Sequence, residues 1–117
     1  MPHYMYQGRY SPDALKAMIG KPQDREASAR KLIEAAGGKL VCFYFAFGRE
    51  DVVAIFEARD DAMMAAVAFT VGASGGFTGG STTKLMTSNE AMAAMANAKT
   101  LAATYQPPSP LAYEVQV

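Results

Sequence analysis

The order in which apolar periods and turn signals follow one another predicts an α+β fold of the type β-α-β-β-α-β. In such a fold an antiparallel four-stranded sheet carries its two crossover helices on one face. Three observations carry the prediction. Residues 39–47 read Lys-Leu-Val-Cys-Phe-Tyr-Phe-Ala-Phe, and after the turn Gly48-Arg49-Glu50 a second apolar run fills residues 51–58, so the middle of the chain is a hairpin. A capped amphipathic segment stands on either side of that hairpin. Beyond these lie an aromatic-rich segment at the start of the chain and a Thr-rich one around Thr83, both suited to strands.

The first strand runs from His3 to Tyr10, with Tyr4, Tyr6, Gly8 and Tyr10 on one side and Met5, Gln7 and Arg9 on the other. Ser11-Pro12-Asp13 opens a helix: a hydroxyl cap, a proline in the first turn, and an acid at the positive end of the dipole. Its apolar stripe, Ala14, Leu15, Met18 and Ile19, is interrupted by Gly20-Lys21-Pro22, because proline disfavours the helical state in its predecessor. The helix resumes near Asp24 with Ala29, Leu32, Ile33 and Ala36 inward, and Gly37-Gly38 ends it through a left-handed cap.

In the first strand of the hairpin, Val41, Phe43, Phe45 and Phe47 are expected on one side, and Leu40, Cys42, Tyr44 and Ala46 on the other. Asp60-Asp61 caps a further helix to about Val71, with Met64, Val67, Ala68 and Val71 on one stripe. The Gly-rich passage 72–80 reads as a helix end and a flexible lead into a more exposed strand over residues 81–86. It is not a phosphate loop, since the Gly-Lys-Ser/Thr ending is absent and a helix precedes the glycines. Thr87-Ser88-Asn89-Glu90 is a capping box opening an Ala- and Met-rich helix to about Thr104. Met63, Met64, Met92 and Met95 sit at helical spacing, ordinarily a gap-filling role in a core.

Pro107-Pro108-Ser109-Pro110 forms a stiff connector, after which Leu111, Tyr113, Val115 and Val117 alternate with Ala112, Glu114 and Gln116. That period of two marks a strand added to a sheet edge, in the same or a neighbouring subunit; a frayed chain end is the competing reading. The expected organisation is a sheet-and-helix domain over residues 1–105 and a connector with C-terminal arm over 106–117.

Two βαβ units sharing a central hairpin make the ferredoxin-like split arrangement, with an extra C-terminal helix. Its helices cover one face of the sheet. Both sides of the first hairpin strand are apolar, however, where a one-sided antiparallel sheet alternates with polar residues. Packing against an identical sheet about a two-fold axis covers the second face, which predicts a homodimer.

Composition narrows the function. The chain has 117 residues, 11 Lys plus Arg against 11 Asp plus Glu, one His, one Cys and no Trp, and half of it is apolar. A balanced charge lacks the basic surplus that nucleic acid demands. One cysteine forms no internal disulfide, and with a single histidine it makes no structural zinc site, so no metal is expected. The start Met1-Pro2-His3-Tyr4 has neither a basic nor an apolar leader segment, and no apolar run approaches a membrane span. A cytoplasmic protein that binds neither membrane nor nucleic acid is expected.

Particular residues carry a family resemblance. Gly37-Gly38-Lys39-Leu40, Tyr44-Phe45-Ala46-Phe47-Gly48 and Asp51-Val52-Val53 resemble the GYD-domain family of small bacterial proteins. Tyr10-Ser11-Pro12, Glu57-Ala58-Arg59-Asp60-Asp61, Ala73-Ser74-Gly75-Gly76 and Thr83 support it, so that the likeness spans roughly residues 1–95. The turn reads Gly48-Arg49-Glu50-Asp51, without the Tyr of the Gly-Tyr-Asp signature. What the resemblance implies is a dimeric α+β barrel, two ferredoxin-like subunits with their sheets facing. Related folds include cofactor-free monooxygenases, lactone isomerases, haem-binding enzymes and ligand-sensing domains, and fold alone does not choose among them.

Four side chains are candidates for a ligand site. Tyr6 and Tyr44 offer phenols that orient or protonate an aromatic ligand, or else pack with their hydroxyls bonded locally. Arg25 suits an anionic ligand group, or is simply a solvated helix-start residue. Asp51 is a base at a cavity mouth, or accepts backbone hydrogen bonds in the hairpin turn. Cys42 reads as a small inert hydrophobe. His3 is near the chain end, and no helix carries a histidine for haem, so no cofactor is expected. Two classes of function stay open: a module binding a small apolar or aromatic molecule between sheet and helices, and a cofactor-independent monooxygenase or isomerase. The second requires at least two polar groups converging in one cavity.

Overall fold

The computed structural model describes residues 1–108. The expected C-terminal strand, Leu111 to Val117, lies outside the described residues. The elements are β1 (His3–Tyr10), α1 (Pro12–Gly20), α2 (Arg25–Ala35), β2 (Lys39–Phe45), β3 (Val52–Glu57), α3 (Asp61–Ala73), β4 (Phe77–Leu85) and α4 (Ser88–Leu101), followed by a short 3-10 turn, Ala102–Thr104. The sheet order is β2-β3-β1-β4 with every pairing antiparallel, so the α+β, ferredoxin-like expectation holds. The chain forms two compact units, Met1–Met86 with the whole sheet and a second beginning at Thr87.

Local chemistry sets the helix boundaries. Ser11 Oγ accepts the Ala14 N–H ahead of Pro12, and Asp24 and Asp60 cap α2 and α3 in the same way. Gly37 ends α2 at φ +81°, which only glycine adopts without strain. The following Gly38 has no room for a side chain, because a Cβ there would stand 2.1 Å from the Glu57 carbonyl oxygen. In the second unit, Thr87 and Glu90 close the anticipated capping box at the start of α4.

The core lies between the sheet and α2 and α3. Tyr4, Leu40, Ala54 and Phe56 from the strands meet Ile33 of α2 and Met64 and Val67 of α3, all buried. Each large aliphatic side chain so covered contributes about 1.5–3 kcal/mol. The stripe of α1 is not used in this way: Ile19 is exposed, and no residue of α1 is buried. Met64 fills core as expected, whereas Met92 and Met95 are exposed.

Three strand expectations are corrected. First, β2 ends at Phe45, and Phe47 is fully exposed in the turn. Second, the strict alternation across β2 fails at a bulge. Leu40 faces Phe56 but Cys42 faces Ile55, so Val41 is an extra residue and every later side chain changes face. Leu40, Phe43 and Phe45 therefore share the helix side, opposite Phe56, Ala54 and Val52, while Cys42 and Tyr44 lie on the other side. Third, β4 begins at Phe77, inside the glycine-rich passage. Gly79 and Gly80 are ladder partners of Arg9 and Gly8, and a second irregularity between Arg9 and Tyr10 brings Phe77 opposite Tyr10. Glycines obscure this strand in the sequence because they carry no side-chain period.

Candidate ligand site

α2 leans on β2 and α3 on β4, so the two central strands lie beneath the space between the helices. Small side chains keep that space open: Ala54 on β3, Ala29 on α2 and Ala68 on α3 all face it. Leucine-sized residues at those positions would fill it. The result is a cavity of about 130 Å³, walled by the core residues and partly open to solvent.

Aromatic rings form one wall. Tyr6 meets Phe77 edge-on at 5.6 Å, Phe77 stacks on Tyr10 at 4.5 Å, and Tyr10 stacks on Phe45 at 6.1 Å, which in turn meets Phe43 edge-on at 5.8 Å. Four of these five rings line the cavity; Phe45 supports from behind. The Tyr6 ring fits because Gly8 and Gly80 lie beside it, where a Cβ would come within 2.7 Å and 2.6 Å of its atoms.

Among the four residues singled out in the sequence, the structure brings two to this cavity. Tyr6 lines it, and its hydroxyl has no hydrogen-bond partner among the described residues. Burial, then the nearby Glu50 carboxylate and Tyr10, push the Tyr6 phenol up from its ordinary value, so it stays a proton donor. Arg25, the first residue of α2, is half-buried at the cavity, where Nη1 donates to Gln23 Oε1 at 2.9 Å and to Ser28 Oγ at 3.4 Å. Tyr44 is 67% exposed on the opposite face of the sheet.

Asp51 is elsewhere again, at the end of the sheet. Its carboxylate accepts the Tyr10 N–H at 3.0 Å, its N–H donates to the Gly8 carbonyl at 2.8 Å, and its carbonyl accepts from Ala46. Those are the bonds of a residue that fixes the hairpin turn against β1.

Sequence reasoning missed the alanines that hollow the site. Their signal was Ala54, a small residue between inward-facing Val52 and Phe56. It also missed a polar cluster beside α3, whose members are far apart in the chain. Tyr4 donates a short hydrogen bond to Asp61, and Lys84 pairs with the same carboxylate at 3.0 Å. Tyr4 is buried, whereas the Asp61 side chain that accepts its bond is 71% exposed. Hydrogen bonding to Asp61 first, then desolvation, raises the Tyr4 phenol to about 12; the bond from Tyr4, then Lys84, lowers the Asp61 carboxyl.

The described residues contain no group of three or more His, Cys, Asp or Glu placed to hold a metal ion, and none of their helices is long and apolar enough to cross a membrane.

Comparison with known proteins bears on fold and family. The sequence model for the GYD domain matches residues 4–95. No functionally curated protein matches the chain. Among solved structures, the crystal structure of MtbAldR (Rv2779c) is similar, with a TM-score of 0.51 and 18% identity over 74% of this chain and 52% of that one. The chain thus spans about half the length of that protein, and the likeness is one of fold.

Proposed function

The chain belongs to the GYD-domain family, and from that premise we propose that it is a small cytoplasmic protein, working as a homodimer, that binds a small apolar or aromatic molecule between its sheet and its helices. The cavity carries this reading. It is apolar throughout most of its wall, is partly open, and admits few polar contacts, which is the usual character of a small-molecule site. Tyr6 and Arg25 are the proposed ligand contacts. A cytoplasmic setting suits the single unpaired Cys42.

The open face of the sheet supports the dimer. Met5, Val53 and Ile55 lie on it beside Cys42, Tyr44 and Leu85, on the side away from α2 and α3. A second copy laid over this face would bury those side chains in a two-fold contact. Tyr44 is proposed for that contact, and Asp51 for bracing the turn.

A direct test is protein-observed NMR with a library of small aromatic and aliphatic compounds. Ligands that move Ala54, Phe43 and Phe77 signals in the native chain, and lose that effect in Ala54→Leu, support the reading. An absence of any cavity-centred shift across the library would end it. A second reading, a cofactor-independent monooxygenase or isomerase, is favoured by one observation: the polar residues Tyr6, Arg25 and Ser28 line the same cavity. It requires turnover of a bound aromatic or lactone substrate that Tyr6→Phe abolishes while binding persists.

A further inference from the structure

The cavity has one charged residue in its wall, and the acids closest to that residue in sequence are occupied elsewhere. Arg25 forms no ion pair among the described residues; its two partners, Gln23 and Ser28, are neutral. Glu26, next in the chain, pairs with Arg30 at 2.9 Å, and the Asp24 carboxylate is turned to the Ala27 N–H as the helix cap. Arg25, a half-buried residue lining the cavity whose bonds to Gln23 and Ser28 are exposed, therefore keeps donors for a planar anion, and it stands in the first turn of an eleven-residue helix, where negative charge is favoured.

Size limits what enters with that anion. An apolar cavity of roughly 150 Å³ accommodates benzene; this one is about 130 Å³ and partly open, so what it encloses is about one six-membered ring. The wall presents ring edges and faces from Tyr6, Tyr10, Phe43 and Phe77, the arrangement in which another aromatic ring packs best. With one cation in the wall, a second carboxylate on the ligand would be desolvated without a partner, which is costly.

We propose that the ligand is a single-ring aromatic monocarboxylate, its ring held against Phe43, Phe77 and Ala54 and its carboxylate paired with Arg25. This inference rests on the cavity being a ligand site and adds the chemical class of what it takes.

The test uses the full chain with three probes: benzoate, uncharged benzamide and 2-naphthoate. Titration calorimetry should find benzoate bound about tenfold or more tightly than benzamide, the ratio expected for one charge-assisted pair. Arg25→Gln should erase that preference by weakening benzoate far more than benzamide, and 2-naphthoate should bind more weakly than benzoate. Ala54→Leu, with its fold checked by thermal unfolding, should exclude both single-ring probes. Equal binding of benzoate and benzamide, unaltered by Arg25→Gln but blocked by Ala54→Leu, would overturn the carboxylate assignment and leave the cavity reading standing. Preferred binding of 2-naphthoate would overturn the single-ring limit. Benzoate binding that survives Ala54→Leu but falls with Arg25→Gln would place the anion at the surface and overturn the proposal. If no probe binds and the aromatic library also fails, the cavity reading falls with it.

Discussion

Asp51 Oδ2 accepts the backbone N–H of Tyr10 at 3.0 Å, joining residues 41 apart in sequence at the end of the sheet. This bond supplies the Tyr10 amide with a partner just beyond the β1–β3 ladder, whose last pair is Gly8 with Val52. Asp51→Ala leaves the Tyr10 amide without it, and a loss of about 1–3 kcal/mol is expected. Asp51→Asn keeps an acceptor oxygen and should lose no more than about 1 kcal/mol. Urea unfolding of the two variants separates them; equal stability of Asp51→Ala and the native chain would refute the structural role.

The pair Tyr4 and Asp61 predicts stability losses at both ends of the pH range. The folded state raises the Tyr4 phenol from 10.0 to about 12, so its contribution is complete below pH 10 and fades as pH rises towards 12. The Asp61 carboxyl is lowered from 3.8, so its contribution is complete above about pH 4–5 and fades as pH falls through the depressed value. Subtracting the unfolding free energies of Tyr4→Phe from those of the native chain across pH isolates the effect. A difference that stays flat between pH 9 and 12 would contradict the alkaline arm.

Two glycines should respond differently to alanine. At Gly38 the obstacle is the Glu57 backbone carbonyl, 2.1 Å from the new Cβ, and backbone yields only by distorting the start of β2. At Gly80 the nearest atom is the Tyr6 hydroxyl at 2.6 Å, with the Gln7 carbonyl at 2.9 Å. Gly38→Ala should cost about 3 kcal/mol or more and Gly80→Ala about 1–3 kcal/mol. Gly80→Ala should in addition displace the Tyr6 ring and weaken ligand binding. The reverse order of stabilities, measured by chemical denaturation, would count against the close packing around Gly38.

The proposed dimer predicts an asymmetric response to charge on the two faces of the sheet. Val53→Lys places a cation on the open face, and a two-fold contact meets it twice, so sedimentation should show a shift of the native dimer to monomer. Lys31→Glu on the exposed side of α2 should leave the mass unchanged. A native chain already monomeric at micromolar concentration would remove the dimer from the reading.

Much of this protein was legible one segment at a time. Ser11, Asp24, Asp60 and Thr87 announce four helix starts because capping needs only a side-chain oxygen and an amide two or three residues on. The stripes of α2 and α3 and the hairpin between them settled the β-α-β-β-α-β order, and with it the sheet topology. Arg25 and Tyr6 could be named as candidates from residue type and position alone, yet so could Tyr44 and Asp51, and nothing local distinguished them.

That distinction belongs to the tertiary structure. A single extra residue at Val41 changed the face of everything after it in β2, sending Phe43 to the helices and Tyr44 away from them, and a bulge is recognised only against the partner strand. The first part of β4, residues 77–80, hidden in its glycines, became visible only through its pairing with β1. The cavity likewise depends on Ala29, Ala54 and Ala68 converging from three elements, each an unremarked small residue in its own segment. Caps and periods are properties of neighbours along the chain, so the sequence by itself determined the elements and their order. Faces, voids and the meeting of distant polar groups arise from packing between elements, so only the folded chain decided where the cavity lies and which residues line it.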